Sequence, residues 1–238
     1  MKQILYILTL LVFLLASCQQ EDNFPSNSGK GYLSLSSLEV EASTITSIST
    51  RAVNPELAIE IVNADGTSVV KFDAGATEAS DKIELEAGEY KLKTYSSNYG
   101  ATWQDEDKGA PIYYKEQNFT IIEEKVNYLS VQVPMINVGV QILLPEGFSN
   151  WFINYTFSAQ IGNRKVTLQE GETAYFDLPE NRDTKLQYSL SATNSDNELM
   201  QQDNNFEGAL TAGTVYEVTY SIATQSLLLH RKVELQIP

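Results

Sequence analysis

Apolar and polar residues alternate with a period of two through most of the chain from Gly31 onward, and no long stretch has helical periodicity. Successive side chains of a β-strand point to opposite faces, so this period is typical of strands that are buried on one face. The clearest example is Trp151–Ile161. The residues of this stretch predicted to face the core are Trp151, Ile153, Tyr155, Phe157, Ala159 and Ile161. The chain is therefore predicted to be all-β.

Turn signals between the short strands predict β-sandwich architecture. The segment "NADG" (Asn63–Gly66) separates two apolar runs and predicts a tight hairpin, because such a turn needs positive φ. Ala87–Ser96 ("AGEYKLKTYS") and Ala212–Ser221 ("AGTVYEVTYS") form a weak repeat, in which we expect the tyrosines and aliphatic residues to point inward. We predict two tandem β-sandwich domains, residues 31–134 and 135–238. One long sandwich is the alternative.

The amino terminus has the pattern of a bacterial lipoprotein. The apolar run Ile4–Leu15 is shorter than the roughly 20 residues that span a bilayer, but it is typical of a secretory signal. The sequence "LASC" then resembles a lipobox, and its Cys18 is the only cysteine. We predict that residues 1–17 are a signal peptide and that residues 18–30 are a tether, anchored to the bilayer by acyl chains on Cys18. An incidental cysteine in an ordinary signal peptide is the alternative.

Charge refines the predicted location. Glu21 and Asp22 follow the lipidation site and resemble the acidic surface-export signal of Bacteroidota lipoproteins. The resemblance implies an outer-membrane protein that is exposed at the cell surface; a periplasm-facing protein with a plain polar tether is the alternative. The net charge of −15 repels other polyanions, so we expect no nucleic-acid partner.

Motifs of catalysis are missing from the sequence. His230 is the only histidine and is predicted to be a structural or surface strand residue, so neither a charge relay nor a histidine-rich metal site can be built around it. The run Asp105-Glu106-Asp107 offers oxygen ligands to calcium, but we expect these acids simply to be solvated. We predict a protein that is not an enzyme and has no metal or cofactor. A hydrolase with an unrecognised pair of carboxylates is the alternative.

The Ser96–Tyr114 segment is the longest connection without strand alternation, and long loops of this kind are often functional. Its four aromatic residues, Tyr99, Trp103, Tyr113 and Tyr114, are candidate glycan-binding residues, because exposed rings can stack on the apolar faces of sugars. The alternative is that these rings fold back as a lid over the end of a sandwich, since exposed aromatic clusters invite aggregation.

Arg51 is a candidate site of proteolytic processing. It is the only basic residue between Lys30 and Lys71, and it follows the polar stretch "STITSIST". Cleavage there would release the first predicted strand, Gly31–Ala42, which we expect to contain a bulge. The groove left behind could accept a strand of another chain, such as the apolar carboxyl-terminal run 227–237. The alternative is that both strands complete their own sandwiches.

Several strand and turn segments resemble a family of Bacteroidota lipoproteins that is catalogued as a domain of unknown function. They are "GYLSLSSLEVE", "TRAVNPELAIEIVNADG", "KIELEAGEYKLKTYSSN", "VPMINVGVQILLPEGF" and "YFDLPE", and the resemblance covers most of residues 31–225. More distantly, the arrangement is similar to fimbrillin-like proteins with two transthyretin-like sandwiches. The resemblance implies an adhesion or fimbria-associated subunit whose partners are other pilus or surface subunits. A glycan-binding surface lipoprotein is the alternative.

Overall fold

The computed structural model of the protein describes residues 29–40, 57–76, 82–178, 185–222 and 229–234. Fifteen strands and one short helix lie within these residues. The strands of the first half are β1 (Lys30–Val40), β2 (Leu57–Asn63), β3 (Ser68–Phe72), β4 (Ile83–Glu86), β5 (Gly88–Ser96), β6 (Tyr114–Ile121) and β7 (Val126–Val133). Those of the second half are β8 (Val138–Leu143), β9 (Phe152–Ile161), β10 (Arg164–Leu168), β11 (Thr173–Phe176), β12 (Leu186–Asn194), β13 (Leu199–Asn205), β14 (Val215–Ile222) and β15 (Leu229–Glu234). The helix α1 (Phe148–Trp151) precedes β9.

These strands form four sheets. Strands β1–β7 build sheets of order β4-β1-β7 and β3-β2-β5-β6, and strands β8–β15 build sheets of order β10-β9-β12-β13 and β11-β8-β14-β15. The two clusters of buried apolar residues divide in the same way, one around Ile61 and Leu92 and the other around Phe157 and Leu190. The prediction of an all-β fold of sandwiches is confirmed. Independent folding of residues 31–134 and 135–238 as two domains stays a prediction.

Strand β1 lies in the middle of its sheet. It pairs with β4 in antiparallel fashion over Lys30–Leu33 and with β7 in parallel fashion over Tyr32–Val40. The register with β7 shifts between Leu35 and Ser37, which confirms the predicted bulge. Gly31 is required at the start of the strand, because a Cβ there would lie 2.3 Å from the carbonyl oxygen of Ile122.

The hairpin predicted from "NADG" is confirmed. Strands β2 and β3 pair in antiparallel fashion on either side of it, and Gly66 has φ +82°. The side-chain oxygen of Asn63 accepts a hydrogen bond from the backbone N–H of Thr67 at 2.9 Å. Asparagine and glycine therefore each supply what the turn needs, a local acceptor and a left-handed backbone.

Strand β9 follows the predicted alternation except at its beginning. Phe157, Ala159 and Ile161 are buried, but Trp151 is 51% exposed and Ile153 is 61% exposed, so their predicted inward positions are wrong. Trp151 belongs to α1, and the pairing of β9 with β12 skips Ile153, since Asn194 lies opposite Phe152 while Thr193 lies opposite Asn154. This bulge turns Ile153 outward and brings Phe152 into the core.

The internal repeat does not place its tyrosines alike. In β5 the inward side chains near the end of the strand are Thr94 and Ser96, which are buried, so Tyr95 points to the outer face. In β14 the residue that corresponds to Tyr95 is Tyr220, which is buried. A difference of one residue in strand phase moves a side chain to the other face. The predicted inward position of Tyr95 is therefore wrong.

Candidate functional site

The Ser96–Tyr114 loop leaves the first half of the molecule between β5 and β6, and its two ends are tied together. The backbone N–H of Ser96 donates to the carbonyl oxygen of Tyr113 at 3.1 Å, and the N–H of Tyr113 donates to Oγ of Ser96 at 3.0 Å. The side-chain amide of Asn98 donates to the carbonyl oxygen of Pro111 at 3.1 Å. These bonds hold the two ends of the loop together, and the residues between them extend away from the strands β5 and β6.

The middle of the loop lies against β10 in the second half of the molecule. We call residues 104–109 the strap. The backbone N–H of Glu106 donates to the carbonyl oxygen of Lys165 at 2.9 Å, and the N–H of Lys165 donates to Oδ1 of Asp105 at 3.0 Å. The carboxylate of Glu106 accepts bonds from the N–H and the hydroxyl of Thr167 at 2.9 and 3.2 Å. The strap therefore occupies the backbone groups along one side of β10.

The strap also contacts β11, which belongs to the other sheet of the second half. The backbone N–H of Tyr175 donates to the carbonyl oxygen of Lys108 at 2.7 Å, and the ammonium group of Lys108 pairs with the carboxylate of Glu172. Because β10 and β11 are edge strands of two different sheets, the strap covers both edges at once. Covering an edge strand prevents its unpaired backbone groups from capturing another chain.

Two residues of the strap have left-handed backbone conformation. Gly109 has φ +68°, and a Cβ at this position would lie 2.9 Å from the carbonyl oxygen of Tyr175. Glu106 has φ +66° although it has a side chain. Such a conformation is unfavourable for most residues, and the bonds of Glu106 to Thr167 hold it in place.

The acidic run of the loop therefore has a structural role. Asp105 and Glu106 accept hydrogen bonds from β10, and Oδ2 of Asp107 accepts one from the backbone N–H of Gln104 at 3.0 Å. The three acids are exposed to solvent, as expected, but they also accept hydrogen bonds that the sequence did not predict. Within the part of the chain that the structure describes, no group of three or more histidine, cysteine or acidic side chains is arranged to hold a metal ion.

Of the four candidate aromatic residues, the structure brings together Tyr99 and Tyr114. Their rings stack with centroids 4.5 Å apart, and Tyr95 lies 5.6 Å from Tyr99. We call Tyr95, Tyr99 and Tyr114 the tyrosine cluster. Tyr99 is 45% exposed. Since the stack uses one face of each of its two rings, the cluster offers an outside ligand less ring surface than three separate tyrosines would.

The other two candidates lie elsewhere. Tyr113 is buried in the core of the first half, and its backbone forms an isolated antiparallel β-bridge with Met135. Trp103 is half-buried beside Gly109, and its indole nitrogen is buried without a hydrogen-bond partner among the described residues. The four aromatic residues thus do not form one surface, and glycan binding at Tyr99 and Tyr114 stays a prediction.

The tyrosine cluster has a defined charge state. The hydroxyl of Tyr114 donates to Oε1 of Glu116 at 2.5 Å, and Lys91 pairs with the same carboxylate at 3.1 Å. Burial and the bond to Glu116 raise the pKa of Tyr114, while the bonds from Tyr114 and Lys91 lower the pKa of Glu116. At neutral pH the phenol of Tyr114 is therefore neutral and donates to the ionised carboxylate of Glu116.

Asn137, which no sequence signal singled out, ties the loop to the second half. It is 1% exposed. Its Oδ1 accepts from the N–H of Ile112 at 3.0 Å, and its Nδ2 donates to the carbonyl oxygen of Ala110 at 2.9 Å. Its own carbonyl oxygen accepts from the N–H of Gly213 at 2.9 Å. One residue thus fixes, through its side chain and its backbone, the return of the loop beside the turn that precedes β14.

The remaining sequence candidates lie largely outside this region. Cys18, Glu21, Asp22 and Arg51 are outside the described residues. His230 lies in β15, opposite Ser221 of β14, which confirms its prediction as a strand residue. The described part of the chain has no helix of the length and apolar character needed to cross a membrane.

Comparison with known proteins identifies a family and a shared fold. A family described as "Domain of unknown function (DUF4493)" matches residues 29–232. No curated protein matches the chain. Among solved structures, a fimbrial assembly protein from Parabacteroides distasonis aligns with a TM-score of 0.50 at 8% identity, over 87% of this chain and 99% of that one. A candidate cell adhesion protein from Bacteroides uniformis aligns with a TM-score of 0.49 at 14% identity, over 87% and 98%.

Proposed function

The chain belongs to the family described as a domain of unknown function (DUF4493), and we propose that it is a non-enzymatic outer-membrane surface lipoprotein that serves as an adhesion or fimbria-associated subunit. The observation that carries the proposal is the fold, which aligns with a fimbrial assembly protein over nearly the whole of that chain. The strand order of the first half gives the proposal a physical basis, because a subunit that assembles by exchanging strands needs a strand that can be replaced.

Strand β1 has the position that such an exchange requires. It separates β4 from β7, and the side chain of Leu33, in the part of β1 that pairs with both strands, is fully buried. Without β1, both neighbours would have unpaired backbone groups and the site of Leu33 would be an open apolar groove. A strand of another subunit is the partner that this groove would accept.

The anchor proposed for the protein rests on the sequence before β1. Residues 18–30 number thirteen and reach at most about 45 Å when fully extended. Acyl chains on Cys18 would hold the first sandwich within this distance of the bilayer. Glu21 and Asp22 lie in the same tether and are the proposed surface-export signal.

The test compares cells that produce the full chain with cells that lack it. Antibody should label intact producing cells, the protein should be recovered with sheared surface filaments, and its loss should reduce adherence to a mucin-coated surface. Cys18→Ala is the control for anchoring, because it removes the thiol that would be acylated. Adherence and filament yield that do not change when the protein is absent would refute the proposed role.

A glycan-binding surface lipoprotein is the second candidate function, and exposed Tyr99 is the observation that favours it. If the tyrosine cluster is the glycan site, Tyr99→Ala should reduce retention on immobilised polysaccharide without changing the melting temperature. Tyr128 is 67% exposed on β7, so Tyr128→Ala is a matched control for the loss of one exposed phenol. Equal retention of the two variants would remove the tyrosine cluster as a glycan site.

A further inference from the structure

The outer face of the sheet β10-β9-β12-β13 is lined by hydroxyl and amide side chains. Residues directly opposite each other on neighbouring strands point to the same face of a sheet. One row across the four strands consists of Lys165, Gln160, Gln187 and Asn205. The next row consists of Thr167, Ser158, Ser189 and Asp203. Both rows face away from the core, since Phe157 and Ala159, which flank Ser158 along β9, are buried inward.

All of these residues except Thr167 line an open cleft of about 340 Å³, which we call the polar trough. The short side chains of Ser158 and Ser189 form its floor, and the longer side chains of Gln160, Gln187 and Asn205 stand beside them. Ser158 is only 6% exposed although it lies on the outer face, so the floor is recessed. The volume falls within the range of about 300–1,000 Å³ that is typical of small-molecule sites.

The polar trough contains hydrogen-bonding groups that the protein itself does not use. Within the described part of the chain, no protein group forms a hydrogen bond with the hydroxyl of Ser158, which opens into the cleft. Nε2 of Gln160 donates to the carbonyl oxygen of Gly162 at 3.0 Å, which fixes this amide and leaves its oxygen as an acceptor. A recessed hydroxyl needs a partner from water or from a ligand.

Hydrogen bonds from the strap fix one wall of the polar trough. The backbone N–H and carbonyl oxygen of Lys165 bond to Asp105 and Glu106 of the strap. These two bonds fix the part of β10 from which the Lys165 side chain extends at the border of the cleft. Because the strap already fixes this part of β10, ligand binding costs less conformational entropy, and this favours affinity.

We propose that the polar trough binds a neutral, hydroxyl-rich ligand, namely an oligosaccharide. Its serine hydroxyls both donate and accept, as the hydroxyl groups of sugars do. Its charged members are one lysine and one aspartate, and the chain as a whole carries −15, so a polyanion is disfavoured. Four strands span about 14 Å from the first to the last, which suits an extended chain of several sugars. This inference rests on the proposed adhesive function and gives it a ligand class.

The test is affinity electrophoresis of the full chain in detergent, in gels that contain dextran, xylan or galactomannan, with heparin as the anionic comparison. At least one neutral polysaccharide should retard the protein. The double variant Gln187→Ala with Asn205→Ala should weaken the binding by about tenfold or more, because it removes exposed hydrogen-bonding groups. Ser189→Gln should weaken it as well by filling the floor. Tyr99→Ala should leave it unchanged. Melting temperatures establish that each variant is folded.

The outcomes separate this site from its competitors. Absence of retardation by every neutral polysaccharide, or retardation by heparin alone, would overturn the proposal. Retardation that persists in both trough variants but is lost in Tyr99→Ala would assign the ligand to the tyrosine cluster instead and would also overturn it. Adherence assays on the same variants test the adhesive function separately. A folded trough variant that loses polysaccharide binding but still adheres supports the site and shows that adhesion uses another surface.

Discussion

Asn137 connects segments of the chain that are far apart in the sequence. Its side chain bonds to the backbone of Ala110 and Ile112 in the loop, and its carbonyl oxygen bonds to Gly213 before β14. Backbone groups in a buried loop need partners, because a buried polar group without one is costly. Here a single amide side chain supplies an acceptor and a donor together, which few other side chains can do.

We predict that Asn137→Ala lowers the free energy of unfolding by about 2–4 kcal/mol, because each buried group left without a partner costs about 1–3 kcal/mol. Urea denaturation followed by tryptophan fluorescence measures the change. Asn118→Ala is the matched control, since Asn118 is exposed on β6; it should stay within about 0.5 kcal/mol of the original chain. If both variants unfold alike, the junction does not depend on Asn137.

The residues of the candidate sites could be predicted only in part from the sequence. The aromatic content of the loop drew attention to Tyr99 and Tyr114, which do stack. Burial of Tyr113 and the outward position of Tyr95 depend on strand phase, which a bulge or a shifted start changes by one residue. Asn137 gave no local signal, because its partners lie 25 and 27 residues away.

At the scale of elements, the strap depends on the absence of a side chain at Gly109. Alanine there would have to adopt a left-handed conformation and would also meet the carbonyl oxygen of Tyr175. Gly100 in the same loop has φ +80° but has no atom within 4 Å of an added Cβ. Comparing alanine substitutions at the two glycines therefore separates two effects. Both substitutions introduce backbone strain, but only the one at Gly109 displaces the strap.

We predict that Gly100→Ala lowers the free energy of unfolding by about 1–2 kcal/mol, the usual cost of a left-handed non-glycine residue. Gly109→Ala should lower it by at least about 1 kcal/mol more, because of the close contact. Hydrogen exchange at the amides of Lys165 and Thr167 should accelerate only in Gly109→Ala, since these amides bond to the strap. Unchanged protection of both amides would mean that the strap adapts to the extra methyl group.

The sequence predicted elements well where the signal was local and poorly where it was distant. The hairpin at Asn63–Gly66 follows from its own residues, and the buried positions of β12 follow from simple alternation. The path of the strap across β10 and β11 has no local pattern, because its partners are about sixty residues further along the chain. The alternative prediction, that the aromatic rings of the loop form a lid over the end of a sandwich, came nearest. The structure instead shows the strap lying across β10 and β11, two edge strands of the other half.

Strand β1 provides the second prediction at this scale. Trypsin should cut the full chain after Arg51 and create a new terminus at Ala52, and release of the β1 segment should then yield oligomers whose size grows with protein concentration. The physical reason is that β4 and β7 lose their shared partner. Amino-terminal sequencing and light scattering follow the two steps, and Arg51→Gln should block both. A cut chain that remains a stable monomer would show that β1 is not exchanged.

The two halves of the molecule are joined by packing and hydrogen bonds as well as by the chain that links them. Tyr175 and Val215 of the second half pack against the apolar cluster of the first half, and the strap of the first half covers β10 and β11 of the second. The partition of the strands was predicted from turn signals and the repeat. These contacts were not, because an apolar residue near a strand end gives no sign of which core it joins.

The location of the whole molecule gives the last prediction. Glu21→Gln with Asp22→Asn should shift the protein from accessible to protected when intact cells are treated with protease, because the proposed export signal depends on its negative charge. Asp65→Asn with Asp73→Asn is the matched control: it also removes two exposed acids, so the change in net charge is the same. Fatty-acid labelling should be equal in both variants, since Cys18 is intact. If protease removes the Glu21 and Asp22 variant as readily as the control, the two acids belong only to a polar tether. If both variants are equally protected, surface display depends on the net charge of the protein and not on these two acids.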